Sequence, residues 1–548
     1  MKKRVFSLML VCVMLVSILG GCKKETTPTE TPSAEPTSAP AATEAPAAEE
    51  APALPEYSEI TVEVFDRGTD AGKTDAADNY YTKWIQDKAL KELNLGVKFV
   101  KVSRWEEIAQ LNNLMAAGTA PDVCMTYSTD LVAQYRDLGG LVDLAPFIGQ
   151  LNELDAFLGE DTALEGRRLI ERNKIMETGQ IFAIPARRMN LARLGTFIRK
   201  DWLDKLGLPL PKTTEEFYNA LVAFKEKDPG NVGKDKVIPF AMTSDVRWRA
   251  GALLESFVDP NLSAKDKWVN TVIDRQFLLP GYKDGVKFMN KMFNEGLIDT
   301  QFMLYADDIT HDDLVKSGVV GAFIHNWDQP YRESPGLLRD LKVNVPDAEI
   351  VSIDCFTDAN GKTSKTLYDP AGLNFFIPAS SQNVDGAIRY INWLSKFENR
   401  NFLQIGEEGV THELVNGIPK VITATGEKIM NSAMNIDYTF MINGLDLGDA
   451  QKNADAIALS YSVEPQLVLD AYSNAMNNGV PQLVVPVTLS AAGPVTQTLD
   501  EKGKTFMAET ITCKPEDFDK VWAEQEADWR ASGAQAVIDE RAAKYIEP

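Results

Sequence analysis

Between residues 60 and 126 the chain switches repeatedly between two hydrophobic periods, and that switching restricts the fold to a parallel sheet with helical crossovers. Ile60-Thr-Val-Glu-Val-Phe65 alternates with the period of two that a strand requires. A polar loop over residues 66–78 leads into a helix with Tyr81, Trp84, Ile85, Ala89 and Leu93 at helical spacing, ended by Gly96. Residues 97–102 read as a second strand. Residues 105–117 read as a helix with Ile108, Leu111, Leu114 and Met115 on one face, and Gly118-Thr-Ala-Pro121 stops it. Residues 122–126 form a third, short strand. Parallel strands need long crossovers, and helices supply them here. In open α/β sheets ligands sit beyond the carboxyl ends of the strands, which selects the loops 66–70 and 127–130.

The chain begins differently. Lys2, Lys3 and Arg4 precede an apolar stretch, residues 5–18, that is short of the about 20 residues a membrane helix needs and suits a secretory leader. It ends in Leu19-Gly20-Gly21-Cys22, which resembles the lipobox of bacterial lipoproteins. The resemblance implies lipidation of Cys22, loss of the peptide before it, and a protein anchored to the outer face of the cell membrane. Residues 23–56 are almost wholly Pro, Ala, Thr, Glu and Ser. Such a stretch buries too little apolar surface to offset its chain entropy, so a disordered linker is expected.

The rest is too long for one core and calls for two domains of ordinary size. Without Lys2, Lys3 and Arg4 the 56 basic residues become 53 against 79 acidic ones, a net charge of −26. That opposes binding to nucleic acid. Cys124, Cys355 and Cys513 are too few and too widely spaced for a disulfide scaffold. His311, His325 and His412 lack zinc spacing, and no Gly-x-Ser-x-Gly occurs. Gly-Lys-Thr at 72–74, 361–363 and 503–505 lacks the earlier glycine of a phosphate loop. The expectation is a monomer without cofactor, metal or catalytic machinery.

Further along, five segments occur in a telling order: Leu114-Met-Ala-Ala-Gly-Thr-Ala-Pro-Asp-Val123, Ile181-Phe-Ala-Ile-Pro185, Ile198-Arg-Lys-Asp-Trp-Leu-Asp-Lys-Leu-Gly-Leu208, Pro211-Lys-Thr-Thr-Glu-Glu-Phe217 and Gly318-Val-Val-Gly-Ala-Phe-Ile-His-Asn-Trp327. Together they resemble the extracellular solute-binding lipoproteins of carbohydrate ABC transporters. The resemblance implies a class II periplasmic-binding-protein-like α/β fold: two lobes, a hinge, and an interlobe cleft that closes on a sugar, with permease subunits of an ABC transporter as partners. The expected N-terminal lobe is 57–187 plus about 365–400, and the C-terminal lobe 188–364 plus about 401–548. The chain should cross between lobes near 183–188 and near 369–378. Some relatives carry a calcium loop where this chain reads Asp228-Pro-Gly-Asn-Val-Gly-Lys-Asp-Lys-Val-Ile-Pro239. Gly230, Val232, Lys236 and Val237 replace oxygen donors there, so a plain turn is expected. A peptide or other solute in the same fold, or a surface glycoside-active enzyme, are the alternatives.

A sugar offers hydroxyls and C–H faces, so its site needs aromatics and bidentate polar groups. Arg67 follows the first strand, and Tyr127 and Asp130 follow the third. Arg187 and Arg188 sit at the expected hinge. Trp327 and Asp328 follow the apolar strand 318–324, where sugar-binding relatives place a stacking tryptophan. Trp248 in a loop and Glu408 in Gly406-Glu-Glu-Gly409 complete the candidates. Trp84, Trp202, Trp393 and Trp522 fall on helix faces at core spacing.

Overall fold

The computed structural model describes residues 54–546 apart from 69–73, 165, 306–307, 333–335, 423–427, 429–435, 484, 486 and 488. The leader, Cys22 and the linker up to residue 53 lie outside the described residues, as do positions 69 and 70 of the first candidate loop.

The opening pattern folds as its periods demand. Strands β1 (Ser58–Asp66) and β2 (Leu95–Ser103) pair in parallel from Ser58↔Leu95 to Asp66↔Ser103. Helix α1 (Tyr80–Leu93) connects them. Helix α2 (Glu107–Ala117) leads to β3 (Cys124–Thr126), and Val123 just before β3 bridges in parallel to Val62 of β1. Asn79 starts α1 as a capping box: its side chain accepts from the Tyr81 and Thr82 amides, and the Thr82 hydroxyl accepts from the Asn79 amide. Asn94, not Gly96, ends that helix, in the left-handed conformation that asparagine tolerates. Gly96 lies inside β2.

Two four-stranded sheets follow. Strands β4 (Ile184–Arg188), β5 (Leu194–Arg199), β6 (Ile238–Ala241), β7 (Val320–Asn326), β8 (Ile350–Ile353), β9 (Ala371–Phe376) and β10 (Ile442–Asn443) arrange as β10-β4-β9-β3 and as β6-β7-β5-β8. Consecutive strands β4 and β5 therefore belong to different sheets, and the chain passes between them at residues 189–193, just beyond the expected 183–188. It returns at 367–370, and it passes a third time at 444–449, between β10 and the helix Ala450–Leu459. The three passages are laced together. The Arg188 amide donates to Pro370 O (2.7 Å), Tyr368 to Leu191 O (3.0 Å) and Met189 to Asn443 O (2.8 Å).

Each sheet has its own core. Ile60, Val62, Phe65, Tyr81, Ile184, Phe375 and Trp393 belong to the first. Trp202, Phe217, Phe240, Phe506, Trp522 and Trp529 fill a second, on one face of the β6-β7-β5-β8 sheet. Phe197, Phe323, Trp327 and Tyr331 fill a third on its other face, as the opposite allegiance of the neighbours Phe197 and Ile198 requires. Each such buried side chain contributes about 1.5–3 kcal/mol. Trp84 is only half-buried and stacks on Phe402, with ring centroids 4.5 Å apart. Leu403, Tyr438, Phe440, Met441 and Ile442 pack in the first core. The expected bounds put about 401–548 with the other lobe, whereas β10 pairs with β4, a contact no local pattern announces. The three described cysteines are free thiols.

Residues 228–237 turn the chain, through a short 3-10 helix at Lys234–Lys236, into β6. The Asp228 carboxylate accepts from the Val232 and Gly233 amides (2.9 and 2.8 Å). The turn runs so close to the Trp202 ring that a Cβ at Gly230 would lie 2.6 Å from it, which requires glycine there.

Candidate functional site

Arg67 stands just past the carboxyl end of β1. Its guanidinium grips both oxygens of Asp437 (2.6 and 2.8 Å), and Nη2 lies 3.5 Å from the Tyr127 hydroxyl. Tyr127 follows β3 directly and is held from three sides. Glu107 Oε1 accepts from the Tyr127 amide and the Thr126 hydroxyl (2.9 Å each), while Glu107 Oε2 accepts from Arg104 Nη1 (3.0 Å). That pair fixes the Arg104 guanidinium 4.1 Å from the centre of the Tyr127 ring. Phe65 stacks on the same tyrosine (6.1 Å, 19°), and Asn443 Nδ2 donates to its hydroxyl (3.4 Å).

The lacing of the three passages places a second set beside this one. Arg188 lies 4.5 Å above the Tyr368 ring and donates from Nε to Asp369 O (3.1 Å). Arg193 lies 5.9 Å from the same ring and 5.4 Å from the Trp248 ring. Burial draws the Arg188 guanidinium below its ordinary pKa, with Tyr368 and Tyr127 acting against that shift. Burial likewise raises the Tyr368 phenol, and Arg193 and Arg188 pull it back. Among the described residues neither Arg188 nor Arg193 has a carboxylate oxygen within 4.0 Å, whereas Arg67, Arg104, Arg172, Arg275, Arg332 and Arg400 are each ion-paired.

Four candidates thus gather: Arg67, Tyr127, Arg188 and Trp248. Trp248 does so from the first turn of the helix Val246–Glu255, capped by Asp245, and not from a loop. Asp328 is committed to Arg332 (2.8 and 3.0 Å) and the Tyr461 hydroxyl (2.6 Å), and is 6% exposed. Trp327 is also 6% exposed, packed edge-on against Tyr472, so it caps the third core with little ring face to offer. Arg187 donates to Phe157 O, away from Arg188, as alternation along β4 dictates. Asp130 is exposed in the first turn of helix α3 (Thr129–Asp137), whose cap is Ser128. Glu408 is exposed where the chain enters the ribbon His412–Val415, while Glu407 beside it accepts from Tyr80 and Lys428. Sequence reasoning missed Arg104, Arg193, Tyr368, Asp437 and Asn443. Arg193 closes the segment after Arg187 and Arg188, and Tyr368 precedes the expected return crossing, so proximity to the hinge was the available signal.

A cavity of about 270 Å³ adjoins Arg193. Arg247, Lys267 and Arg541 line it, together with Glu255, Asp274 and Tyr282. The Nε atoms of Arg247 and Arg541 are buried without a hydrogen-bond partner. Burial pushes the Glu255 carboxyl above its usual pKa, against the pull of Arg193.

One group among the described residues has the composition of a metal site. His311, Asp312 and His325 offer ligand atoms within 4.8 Å of one another, all buried. The sequence separation of the two histidines hid this, because β7 brings His325 back beside the helix Asp308–Lys316. Asp312 Oδ1 already faces His311 Nδ1 (3.2 Å) and His325 Nε2 (3.3 Å), and the Asn326 amide donates to His325 Nδ1 (2.7 Å). Buried Arg249 adds positive charge nearby. The cluster reads as a neutral-imidazole network inside the lobe.

The family model described as bacterial extracellular solute-binding protein matches residues 71–399. The chain belongs to that family. Over 481 residues it is 22% identical to the polygalacturonan/rhamnogalacturonan-binding protein YtcQ of Bacillus subtilis (strain 168), covering 84% of this chain and 88% of that protein. Two solved structures share the fold: an HMO-binding solute-binding protein associated with an ABC transporter from Bifidobacterium longum infantis (TM-score 0.62, 18% identity, 89% of this chain and 98% of that one), and the alginate-binding protein AlgQ2 without calcium ion (TM-score 0.57, 20% identity, 88% and 97%). The two-lobed α/β architecture is the one these neighbours have.

Proposed function

We propose that this solute-binding protein captures an oligosaccharide between its two lobes and hands it to the permease of an ABC transporter. The observation that carries the reading is the row Arg67–Tyr127–Arg188–Tyr368–Arg193–Trp248, which runs from the first core across the passages to the second. Aromatic rings interleaved with guanidinium groups suit a ligand with C–H faces and hydroxyls. Similarity to proteins whose names carry polygalacturonan/rhamnogalacturonan and fructooligosaccharide binding supports the ligand class. The first core and its sheet form one lobe, including residues 403–442, and the second sheet with its two cores forms the other. Passages 189–193, 367–370 and 444–449 are the hinge. The protein works as a monomer, by binding without bond-making chemistry, held outside the cell by lipid on Cys22 and the linker segment 23–56. Trp327, Asp328, Arg187, Asp130 and Glu408 serve structure or surface in this reading.

The test is a thermal-shift screen of the chain from residue 23 against oligosaccharides and peptides. Ligand at 100 times its dissociation constant adds about 2.7 kcal/mol to stability, a visible rise in Tm. A shift with one glycan class and no change in the glycan is the expected result. A shift with peptides alone overturns the carbohydrate reading, and degraded glycan overturns the non-catalytic one.

A further inference from the structure

Arg188 and Arg193 are half-buried, lie near the ring of one tyrosine, and have no carboxylate within 4.0 Å among the described residues; Asp369 acts on Arg188 and Glu255 on Arg193 only from farther away. They sit so in a protein with a net charge of −23, where acidic partners are abundant and most other buried arginines are ion-paired. A cation drawn out of water without a counter-ion is costly unless something else supplies the negative charge. Tyr368 and Trp248, which present ring faces to them, carry no full negative charge. The adjoining cavity repeats the imbalance. Its lining brings Arg193, Arg247, Lys267 and Arg541 together against Glu255 and Asp274. Of these, Arg247 reaches Asp274 at 3.6 Å, while Arg541 hydrogen-bonds the Trp268 carbonyl and stacks on its ring.

We infer that the oligosaccharide this protein binds is acidic, with charged groups on its sugar units completing the ion pairs that Arg188 and Arg193 lack. The inference rests on the proposed carbohydrate function and narrows its ligand. A guanidinium presents two parallel N–H donors that fit the two oxygens of a carboxylate, so a uronate unit matches best. A sulfate ester shares that chemistry. Tyr368 and Trp248 then flank the sugar rings, and the arginines select among sugars by charge. Neutral sugars leave two desolvated cations unpaired, which turns the same geometry into a penalty against them.

Isothermal titration of the chain from residue 23 tests this with three probes: trigalacturonate, its fully methyl-esterified form, and a sulfated galacto-oligosaccharide. Trigalacturonate should bind at least about tenfold tighter than its methyl ester, the worth of one charge-assisted hydrogen bond. Arg193→Gln should remove most of that preference, while Arg193→Lys, which keeps the charge and loses the fork, should keep part of it. Tm of each variant separates lost folding from lost recognition, and Arg188→Gln repeats the test where one variant fails to fold. Preference for the sulfated probe over its neutral parent, abolished in Arg193→Gln, supports the inference and assigns the charge to sulfate. Equal or tighter binding of the methyl ester overturns the acidic ligand and leaves the carbohydrate function standing. If none of these probes binds and peptides do, the function itself has failed.

Discussion

At the scale of single residues, Trp327 and Trp248 show that burial, not position in the chain, decides what an aromatic does. Both stand at places a sugar-binding site would use. Trp327 is enclosed by the third core and Tyr472, whereas Trp248 keeps a face turned to Arg193. Trp327→Ala should therefore cost about 3–5 kcal/mol of stability in urea titration and leave ligand affinity of the folded fraction unchanged. A loss of affinity with intact stability would return Trp327 to the site. The same scale holds the pH response. Burial lowers the His311 pKa from 6.5 to about 4, with Arg249 and His325 adding to the shift and Asp312 opposing it. His325 is lowered by burial too, and Asp312 is lowered by the two imidazoles. In the unfolded chain His311 takes up its proton near pH 6.5, and in the folded chain only near 4. Stability is thus full above pH 6.5 and falls between 6.5 and 4, by about 3 kcal/mol for His311. His311→Gln should flatten the slope of Tm against pH in that window, and an unchanged slope would place the effect elsewhere.

At the scale of elements, the three passages carry the design. Gly444 follows β10 with φ of +111°, and an added Cβ would meet Met189 Cβ at 3.2 Å. Gly444→Ala should destabilise by about 1–3 kcal/mol, through backbone strain at the hinge. Denaturant titration reads this, and a neutral result would mean the passage adapts freely. These passages also mark how far the sequence could be read. The strand–helix order of 60–126 was legible because period two and period 3.6 are written locally. The places of Arg67 and Tyr127 just past strand ends were legible from the same order. The place of Arg188 beside the passages was legible from the expected hinge. The pairing of β10 with β4 joins residues 442–443 to 187–188, and nothing near residue 440 encodes that contact. Asp437 and Asn443 were missed for this reason. The enclosure of Trp327 was not legible, because a strand-end tryptophan reads the same whether or not a distant helix, here the one bearing Tyr472, covers it.

At the scale of the molecule, two lobes on separate cores, with laced extended passages running between them, suit rotation as bodies. A ligand that touches both lobes stabilises the closed arrangement by its added contacts there, and one that touches a single lobe does not shift the balance. The row from Arg67 to Trp248 draws on both lobes, which is the property closure requires. Small-angle X-ray scattering of the chain from residue 23, alone and saturated with the oligosaccharide found by thermal shift, tests that claim most directly. The expected result is a smaller radius of gyration in the bound state, with the change lost in a Trp248→Ala, Arg193→Gln double variant at the same ligand concentration. An unchanged radius at saturation would contradict it, by showing that the ligand sits on one lobe alone.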